Sequence, residues 1–206
     1  TGGYLFYLAK TTNVKDLQNA LKATTIIYDK NGDQAGSLTG QKGTYVELDA
    51  ISENLQNAVV ATEDRSFYKN SGINYGRFFL AILTLGRSGG GSTITQQLAK
   101  NAYLSQDQTV ERKAKEFFLA LEINKKYSKK EILTMYLNNA YFGNGVWGIE
   151  DASKKYFGVS ASQLSLDQSA VLAGMLKGPE IYNPLYSVCL LYTSDAADDA
   201  LRVDIG

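Results

Sequence analysis

Two glutamates lie in surroundings that suit proton transfer or the stabilisation of charge. Glu63 ends an apolar run at 58–62, and Phe67 follows it four residues later. A carboxylate held against apolar and aromatic side chains has a raised pKa and is a better proton acceptor near neutral pH. Glu116 lies four residues after Arg112 in the segment RKAKE, a spacing that allows an ion pair on one helix face. Taken alone, a solvated helix end and an exposed ion pair are the simpler interpretations of the two segments.

A glycine run at 89–91 leads into a polar segment, STITQQLAKN, that suits the start of a helix and the binding of an anion. Backbone N–H groups left free at a helix start favour phosphates. Gln97 and Lys100 are three residues apart, so one helix face can present an amide together with an ammonium group. The GKS/T ending of a Walker loop is missing. The alternative, a flexible loop before an ordinary core helix, fits poorly with the polar residues Thr93 and Thr95.

Two further segments suit contact with sugars and with a lipid surface. In the loop NNAYFGNGVWG, Tyr141, Phe142 and Trp147 are interleaved with glycines and asparagines, a combination that suits a sugar ring and its hydroxyl groups. A packed turn whose glycines adopt positive φ fits this loop equally well. The segment 78–85 is almost entirely apolar and is flanked by arginines, so it suits a bilayer interface, although a buried core helix is the commoner explanation.

The composition excludes several classes of site. The chain has 206 residues, 44% of them hydrophobic, which suffices for the core of one domain. It has no histidine, and this excludes the Ser-His-Asp triad, the Cys-His dyad and every zinc site that contains histidine. The single cysteine, Cys189, excludes an internal disulfide. A formal net charge of zero argues against a nucleic-acid partner bound through bulk charge.

The elements that must position these residues are mostly helices. The segments SKKE at 128–131 and SLDQ at 165–168 fit the capping-box pattern and each precede an apolar helical run, and Ser52 can cap a further helix. A small N-terminal β element is predicted by the β-branched segment 24–29, the Asn31–Gly32 pair and the segment 44–48. We therefore expect a mainly α fold with a small β element near its start.

The two ends of the chain differ from its centre. The aromatic and apolar residues at 2–10 predict that 1–23 is a membrane-proximal linker containing the end of a truncated transmembrane helix, with a ragged start as the alternative. The sequence contains no run of about 18 apolar residues that could span a bilayer alone. After Ser187 the composition changes abruptly, and we interpret 188–206 as a non-native tail.

The order and spacing of these segments resemble the successive motifs of the family 51 peptidoglycan glycosyltransferases. The motifs are EDxxF, GGSTITQQ with KN, RKxxE, KxEIL with YLN and YFGNGxxG, and LAGMLKGP followed by YNP, and they cover 24–187. The similarity is greatest to the glycosyltransferase domains of class A penicillin-binding proteins of Gram-positive type, with monofunctional transglycosylases as the alternative. The resemblance implies a mainly α, lysozyme-like, two-lobed domain.

The resemblance also implies an activity and roles for individual residues. Enzymes of this family polymerise lipid II into glycan strands with inversion, and undecaprenyl pyrophosphate leaves. Glu63 matches the general base, and Glu116 matches a second carboxylate that positions the donor or its pyrophosphate. Further matched positions bind substrate or support the cleft: Asp64, Phe67, Thr93, Gln97, Lys100, Asn101, Arg112, Lys113 and Lys177. Asn70 stands where the family often has histidine.

The implied partners are lipid II, the lipid-linked glycan, the membrane surface and cell-wall synthesis proteins, at the outer face of the bacterial cytoplasmic membrane. No nucleic acid, tightly bound cofactor or dedicated metal site is expected, and Mg²⁺ or Mn²⁺ at the pyrophosphate is left open. One alternative function is a muramidase-like hydrolase, which has no pyrophosphate to neutralise with Lys100 and Arg112. Another is an inactive scaffold that binds lipid II, against which the presence of both Glu63 and Glu116 argues.

Overall fold

The computed structural model describes residues 3, 7, 14, 17–22, 24–28, 34–39, 43–76, 92–104, 110–179 and 181–184, and at 24–28, 34–39 and 110 the backbone only. The predicted Asn31–Gly32 turn, the apolar segment 78–85, the glycine run 89–91 and the tail 188–206 lie outside these residues. Within the described ranges, no helix is both long enough and apolar enough to cross a bilayer.

Helices dominate the described part of the chain, which confirms the prediction of a mainly α fold. The seven α-helices found there are α1 (Leu17–Lys22), α2 (Glu53–Glu63), α3 (Ile94–Tyr103), α4 (Val110–Lys126), α5 (Lys129–Asn139), α6 (Ile149–Phe157) and α7 (Leu166–Met175). Single 3-10 turns at Leu48–Ala50 and Ala161–Gln163 precede α2 and α7.

Two strands precede the main helical part. Strand β1 (Thr24–Tyr28) pairs antiparallel with β2 (Gln34–Thr39), and the register becomes irregular between Ile27 and Tyr28. The second strand therefore lies at 34–39, and the prediction of a strand at 44–48 is wrong. The backbone of Val46 instead hydrogen-bonds to the side chain of Asn138 in α5, with its N–H donating to Oδ1 and its carbonyl accepting from Nδ2, both at 2.8 Å. An amide side chain thus takes the place of a neighbouring strand.

The starts of the helices follow local capping chemistry. The predicted capping boxes are confirmed for α5, where Ser128 pairs with Glu131, and for α7, where Ser165 pairs with Gln168. The prediction for Ser52 is wrong, because its hydroxyl does not cap α2 but donates to the carbonyl of Leu164 at 3.1 Å. This bond ties the start of α2 to the turn before α7, and these two helices also pack against each other.

Helix α5 lies at the centre of the core. All eight of its residues from Ile132 to Asn139 are buried, and the helix contacts α1, α3, α4 and α6. A helix that is buried on every face has partners all around it, so its polar side chains must find hydrogen bonds inside the protein. Among those polar side chains are Tyr136 and Asn138, and each bonds to a different neighbouring segment. The core around α5 therefore fixes the elements that carry the candidate site.

Candidate active site

Glu63 is the last residue of α2, and its carboxylate is held on one side only. Oε2 accepts a hydrogen bond of 2.7 Å from Nε2 of Gln97 on α3. Oε1 is buried and has no hydrogen-bond partner among the described residues. Burial raises the pKa of Glu63, and the Gln97 hydrogen bond and the positive charges of Lys177 and Lys100 oppose this rise. The site thus holds a carboxylate with one restrained oxygen and one oxygen ready to accept a proton.

Gln97 is itself held by a buried tyrosine that the sequence analysis did not single out. The hydroxyl of Tyr136 on α5 donates to Oε1 of Gln97 at 3.1 Å. Tyr136 is only 2% exposed. Burial and the nearby charge of Glu63 raise its pKa well above the ordinary value. The sequence signal was the YLN motif, but within an apolar helical run this tyrosine looks like a core residue.

Asp64, next to the predicted base, joins the end of α2 to the start of α3. Its side chain is 6% exposed. Oδ1 accepts from the hydroxyl of Ser66 at 3.0 Å and from the amide of Asn70 at 3.1 Å. Oδ2 accepts from the same amide at 2.9 Å and from the backbone N–H of Ile94 at 3.3 Å. A carboxylate near the first turn of a helix also interacts favourably with the helix dipole. In this structure Asp64 therefore supports the site from inside the protein.

Asn70 connects that carboxylate to a lysine from α5. Its Oδ1 accepts from the Nζ of Lys129 at 3.0 Å and from the backbone N–H of Gly72 at 2.9 Å. The same ammonium group lies 4.8 Å from the ring centroid of Phe67, which is fully buried. Burial lowers the pKa of Lys129, and the charge of Asp64 opposes the shift. Phe67 thus acts as a core residue beneath the site.

Thr93 fixes the N-terminus of α3 through a capping box that the sequence analysis did not identify. Its Oγ1 accepts from the N–H of Gln96 at 3.1 Å, while its own N–H donates to Oε1 of Gln96 at 3.0 Å. The same hydroxyl donates to the carbonyl of Gly72 at 2.6 Å. The pattern Thr-x-x-Gln in the sequence was the signal that could have revealed this cap. The helix that carries Gln97 and Lys100 is therefore anchored at its first turn.

Glu116 forms a second cluster, on α4. The carboxylate is 1% exposed and pairs with Arg112, at 2.9 Å from NH1, and with Lys113. The hydroxyl of Ser92 accepts from Lys113 Nζ at 2.6 Å and lies 3.4 Å from Oε1 of Glu116. The interpretation as an ordinary exposed ion pair is therefore wrong for Glu116, because α4 turns this face toward the start of α3. Lys113 keeps 36% of its side chain exposed and remains accessible to an anion.

The segment 92–94 links the two carboxylate clusters. Ser92 contacts the Glu116 cluster, and two residues later the N–H of Ile94 donates to Asp64, the neighbour of Glu63. The structure thus brings the first three sequence motifs together at one helix start. Lys100 and Asn101 follow on α3 and are half-buried, and the exposed Lys177 comes just after α7. The charges of both lysines act on Glu63.

The aromatic loop after α5 is a compact turn. Phe142 is fully buried, and its N–H donates to the carbonyl of Val146 at 2.9 Å. The rings of Tyr141 and Trp147 lie 4.9 Å apart, and the two residues form an isolated antiparallel bridge. Gly143 has a φ of 77°, as a packed turn requires. For Phe142 the structure therefore favours the packed turn over contact with a sugar.

The described residues form no metal-binding cluster, and a groove among them is lined by other residues than those of this site. No group of three or more His, Cys, Asp and Glu residues there is arranged to hold a metal ion. Both oxygens of Glu116 are taken by cationic side chains, so this carboxylate does not fit a divalent cation. A groove of about 810 Å³ lies elsewhere and contains none of the predicted site residues. It is lined by Gln18, Glu47, Leu48, Asp49, Glu53, Gln56, Asn57, Lys130, Glu131 and Thr134.

A partly buried carboxylate beside lysines, and a second carboxylate paired with Arg and Lys, suit an enzyme whose substrate carries a negatively charged leaving group. The chain belongs to the transglycosylase family, whose pattern matches residues 31–202. This match confirms the predicted family, the mainly α, lysozyme-like fold class and the prediction of a transglycosylase.

Penicillin-binding proteins are among the relatives of this chain. Penicillin-binding protein 2a of Streptococcus pneumoniae is 82% identical over 187 residues, which are 91% of this chain and 26% of that protein. Penicillin-binding protein 1A of Aquifex aeolicus is 46% identical over 164 residues, 78% of this chain and 23% of that protein. Penicillin-binding protein 1A/1B of Bacillus subtilis is 39% identical over 192 residues, 89% of this chain and 21% of that protein. The chain thus spans about a quarter of the length of these relatives.

Proposed function

We propose that this chain is a peptidoglycan glycosyltransferase that polymerises lipid II into glycan strands. The observation that carries the proposal is the carboxylate of Glu63, with Oε2 restrained by Gln97 and Oε1 buried without a partner. An unpaired acceptor in a poorly solvated site is costly, and a substrate hydroxyl that donates to it removes that cost. Burial keeps the pKa of this group above its ordinary value, which suits a general base near neutral pH.

In the proposed reaction Glu63 takes the proton of the acceptor 4-hydroxyl group. The acceptor oxygen forms a bond to the anomeric carbon of the lipid-linked donor from the face opposite the leaving group. The bond from that carbon to the pyrophosphate oxygen breaks, and undecaprenyl pyrophosphate leaves with the electron pair. The configuration at the anomeric carbon is inverted, and the proton remains on Glu63 until solvent removes it.

In this proposal the cationic residues stabilise the negative charge of the leaving group. Arg112 and Lys113 lie against Glu116, which holds their charged groups in place while Lys113 stays partly exposed. Preorganised positive groups stabilise the charge that develops on a departing pyrophosphate. Lys100 and Lys177, whose charges reach Glu63, complete a cationic surrounding for the donor. A hydrolase acting on a neutral glycan has no such charge to neutralise, so these residues support transfer over muramidase-like cleavage.

The location and partners of the enzyme follow from the proposed substrate. Lipid II and the growing glycan are anchored by lipid in the outer face of the bacterial cytoplasmic membrane, so the active site must work beside that surface. The apolar segment 78–85 is the part of the sequence that best suits contact with the membrane. Cell-wall synthesis proteins are the expected protein partners. Mg²⁺ or Mn²⁺ bound to the substrate's own pyrophosphate is compatible with the proposal.

The direct test is incubation of this chain with labelled lipid II in detergent, with and without moenomycin, an inhibitor directed at the donor site of this family. We expect glycan chains that lengthen with time, release of undecaprenyl pyrophosphate, and loss of both in the presence of moenomycin. Appearance of shortened glycan with new reducing ends would instead indicate a hydrolase. A folded sample that binds lipid II without forming product would favour a binding scaffold.

A further inference from the structure

We propose that Tyr136 is a positioning residue for Glu63, which it orients through the side-chain amide of Gln97. The inference rests on the proposed function, because it assigns Glu63 the role of general base. Three side chains from three helices form the chain of contacts: Tyr136 on α5, Gln97 on α3 and Glu63 at the end of α2. The hydroxyl of Tyr136 donates to Oε1 of Gln97 at 3.1 Å, and Nε2 of Gln97 donates to Oε2 of Glu63 at 2.7 Å.

The orientation of the Gln97 amide is set at both of its ends. A glutamine side chain carries an acceptor oxygen and a donor nitrogen, and rotation of the amide exchanges them. In the rotated orientation the amide oxygen would face the carboxylate of Glu63, where two acceptors repel each other. The NH₂ group would then face the phenol oxygen. The ionised carboxylate can only accept, so it selects the orientation in which Nε2 points to Glu63, and the phenol that donates to Oε1 holds the amide in that orientation.

The phenol can only act as this donor if it keeps its proton. Tyr136 is 2% exposed, and both burial and the charge of Glu63 raise its pKa well above the ordinary value. The group therefore stays protonated throughout the range in which a carboxylate base titrates. Because the ring is buried in a helix that is enclosed on every side, solvent cannot readily supply a replacement donor.

The contact has a consequence for the base itself. Among the described residues, the charged or titratable groups that act on Glu63 are Lys177 after α7, Lys100 on α3, the adjacent Asp64 and Tyr136 on α5. Against the effect of burial, the hydrogen bond from Gln97 lowers the pKa of Glu63 more than either lysine does. A loosely held Gln97 would leave Glu63 with a higher pKa and with Oε2 free to rotate. Both changes would reduce the fraction of enzyme with an ionised and correctly oriented base.

The test is the pH–rate profile of lipid II polymerisation by Tyr136→Phe compared with the unmodified chain. The variant keeps the ring and its packing but lacks the donor. We expect the acid limb of the profile to move to higher pH and kcat near neutral pH to fall by roughly fivefold to tenfold, the size of one lost hydrogen bond between uncharged groups. KM should change by less than about twofold, because no group that contacts substrate is removed.

Tyr127→Phe is the matched control. Tyr127 is also buried, and its hydroxyl donates to the carbonyl of Val14 at 2.7 Å. This variant loses a buried hydrogen bond of the same type, so it matches the cost in stability. We expect its acid limb to coincide with that of the unmodified chain. An acid limb that does not move in folded Tyr136→Phe, or that moves equally in Tyr127→Phe, would overturn the proposal.

Gln97→Leu tests the same link from its other end if Tyr136→Phe does not fold. It removes both the acceptor for Tyr136 and the donor to Glu63, so its acid limb must also move to higher pH, and an unmoved limb would overturn the proposal. In the Gln97→Leu background, Tyr136→Phe should add no further shift. Failure of the proposed function is distinguishable, because the unmodified chain would then form no glycan at all.

Discussion

Asp64 accepts a hydrogen bond from the backbone N–H of Ile94 at 3.3 Å, so the residue next to the proposed base is bonded to the first turn of the helix that restrains that base. Both hydrogen bonds join α2 to α3. Displacement of either helix would alter the position of the Glu63 carboxylate relative to Gln97. The geometry of the site therefore depends on a buried carboxylate that need not touch the substrate.

We expect Asp64→Asn to destabilise the fold by about 1–3 kcal/mol, because the amide that replaces one oxygen cannot accept from Asn70 and Ile94 as the carboxylate does. Urea unfolding monitored by circular dichroism gives the free energy. Asp49→Asn is the control, since Asp49 is exposed and should change stability by less than about 0.5 kcal/mol. Equal stabilities for the two variants would show that the Asp64 contacts are not structurally important.

We expect Glu63→Gln to abolish polymerisation, with a loss of at least about 100-fold, while the fold remains intact. Its stability should also depend on pH in a defined way. The pKa of Glu63 is raised in the folded chain, so this group favours folding at low pH, and the advantage is lost as pH rises through the folded pKa. The variant lacks this effect and should gain stability relative to the unmodified chain from acid to neutral pH.

Chemical unfolding at a series of pH values measures that difference for Glu63→Gln. Below the ordinary carboxyl pKa both states of the unmodified chain carry a protonated Glu63, and the two proteins should then differ least. A stability difference that moves in the opposite direction with pH would contradict the raised pKa. Polymerisation by the variant at a rate close to that of the unmodified chain would contradict the assignment of the base.

We expect Glu116→Gln to cost about 1–3 kcal/mol, because it leaves the charges of Arg112 and Lys113 without their buried partner. Partial exposure of both cations limits the cost. The matched control is Glu111→Gln on the same helix, which breaks the exposed pair with Lys115 and should cost less than about 0.5 kcal/mol. Thermal unfolding of both variants at low and high salt measures their losses of stability. Similar losses for Glu116→Gln and Glu111→Gln would argue against a buried role for Glu116.

We expect Gly72→Ala to destabilise the chain by about 2–3 kcal/mol. Gly72 has a φ of +91°, and an added Cβ would lie 2.7 Å from the carbonyl oxygen of Ala120. Its own carbonyl accepts from Thr93, so the strain should reach the cap of α3 and reduce polymerisation as well. Gly145→Ala is the control: it has a φ of +73° with nothing within 4 Å of the added Cβ, and should cost only about 1 kcal/mol. Equal costs would show that the close approach is unimportant.

Local chemistry explains why much of the helical fold could be predicted from the sequence. Ser128 and Glu131 are three residues apart, and the start of α5 follows directly from their reciprocal hydrogen bonds. The prediction of a strand at 44–48 is wrong because the contact that decides this segment is not local. The partner of Val46 is Asn138, 92 residues away, and no pattern within the segment reveals it.

In the site, too, local motifs could be recognised in the sequence, whereas long-range contacts could not. The residues Glu63 and Glu116 were identified from their motifs, and whether each has its predicted chemical role stays a prediction. The burial of Glu116 could not be read from its spacing to Arg112, because spacing does not tell which helix will cover a face. Tyr136 was missed because its contact with Gln97 spans 39 residues and its neighbours in sequence are apolar.

The side chain of Asn70 does not titrate, so its hydrogen-bond donors and acceptors in the site do not depend on pH. Its carboxamide neither gains nor loses a proton, and the chain has no histidine, the residue whose ordinary titration falls in the neutral range. The hydrogen bonds from Asn70 to Asp64 therefore keep the same donors and acceptors across that range. An inflection in activity between mildly acidic and neutral pH therefore has no imidazole as its source in this chain.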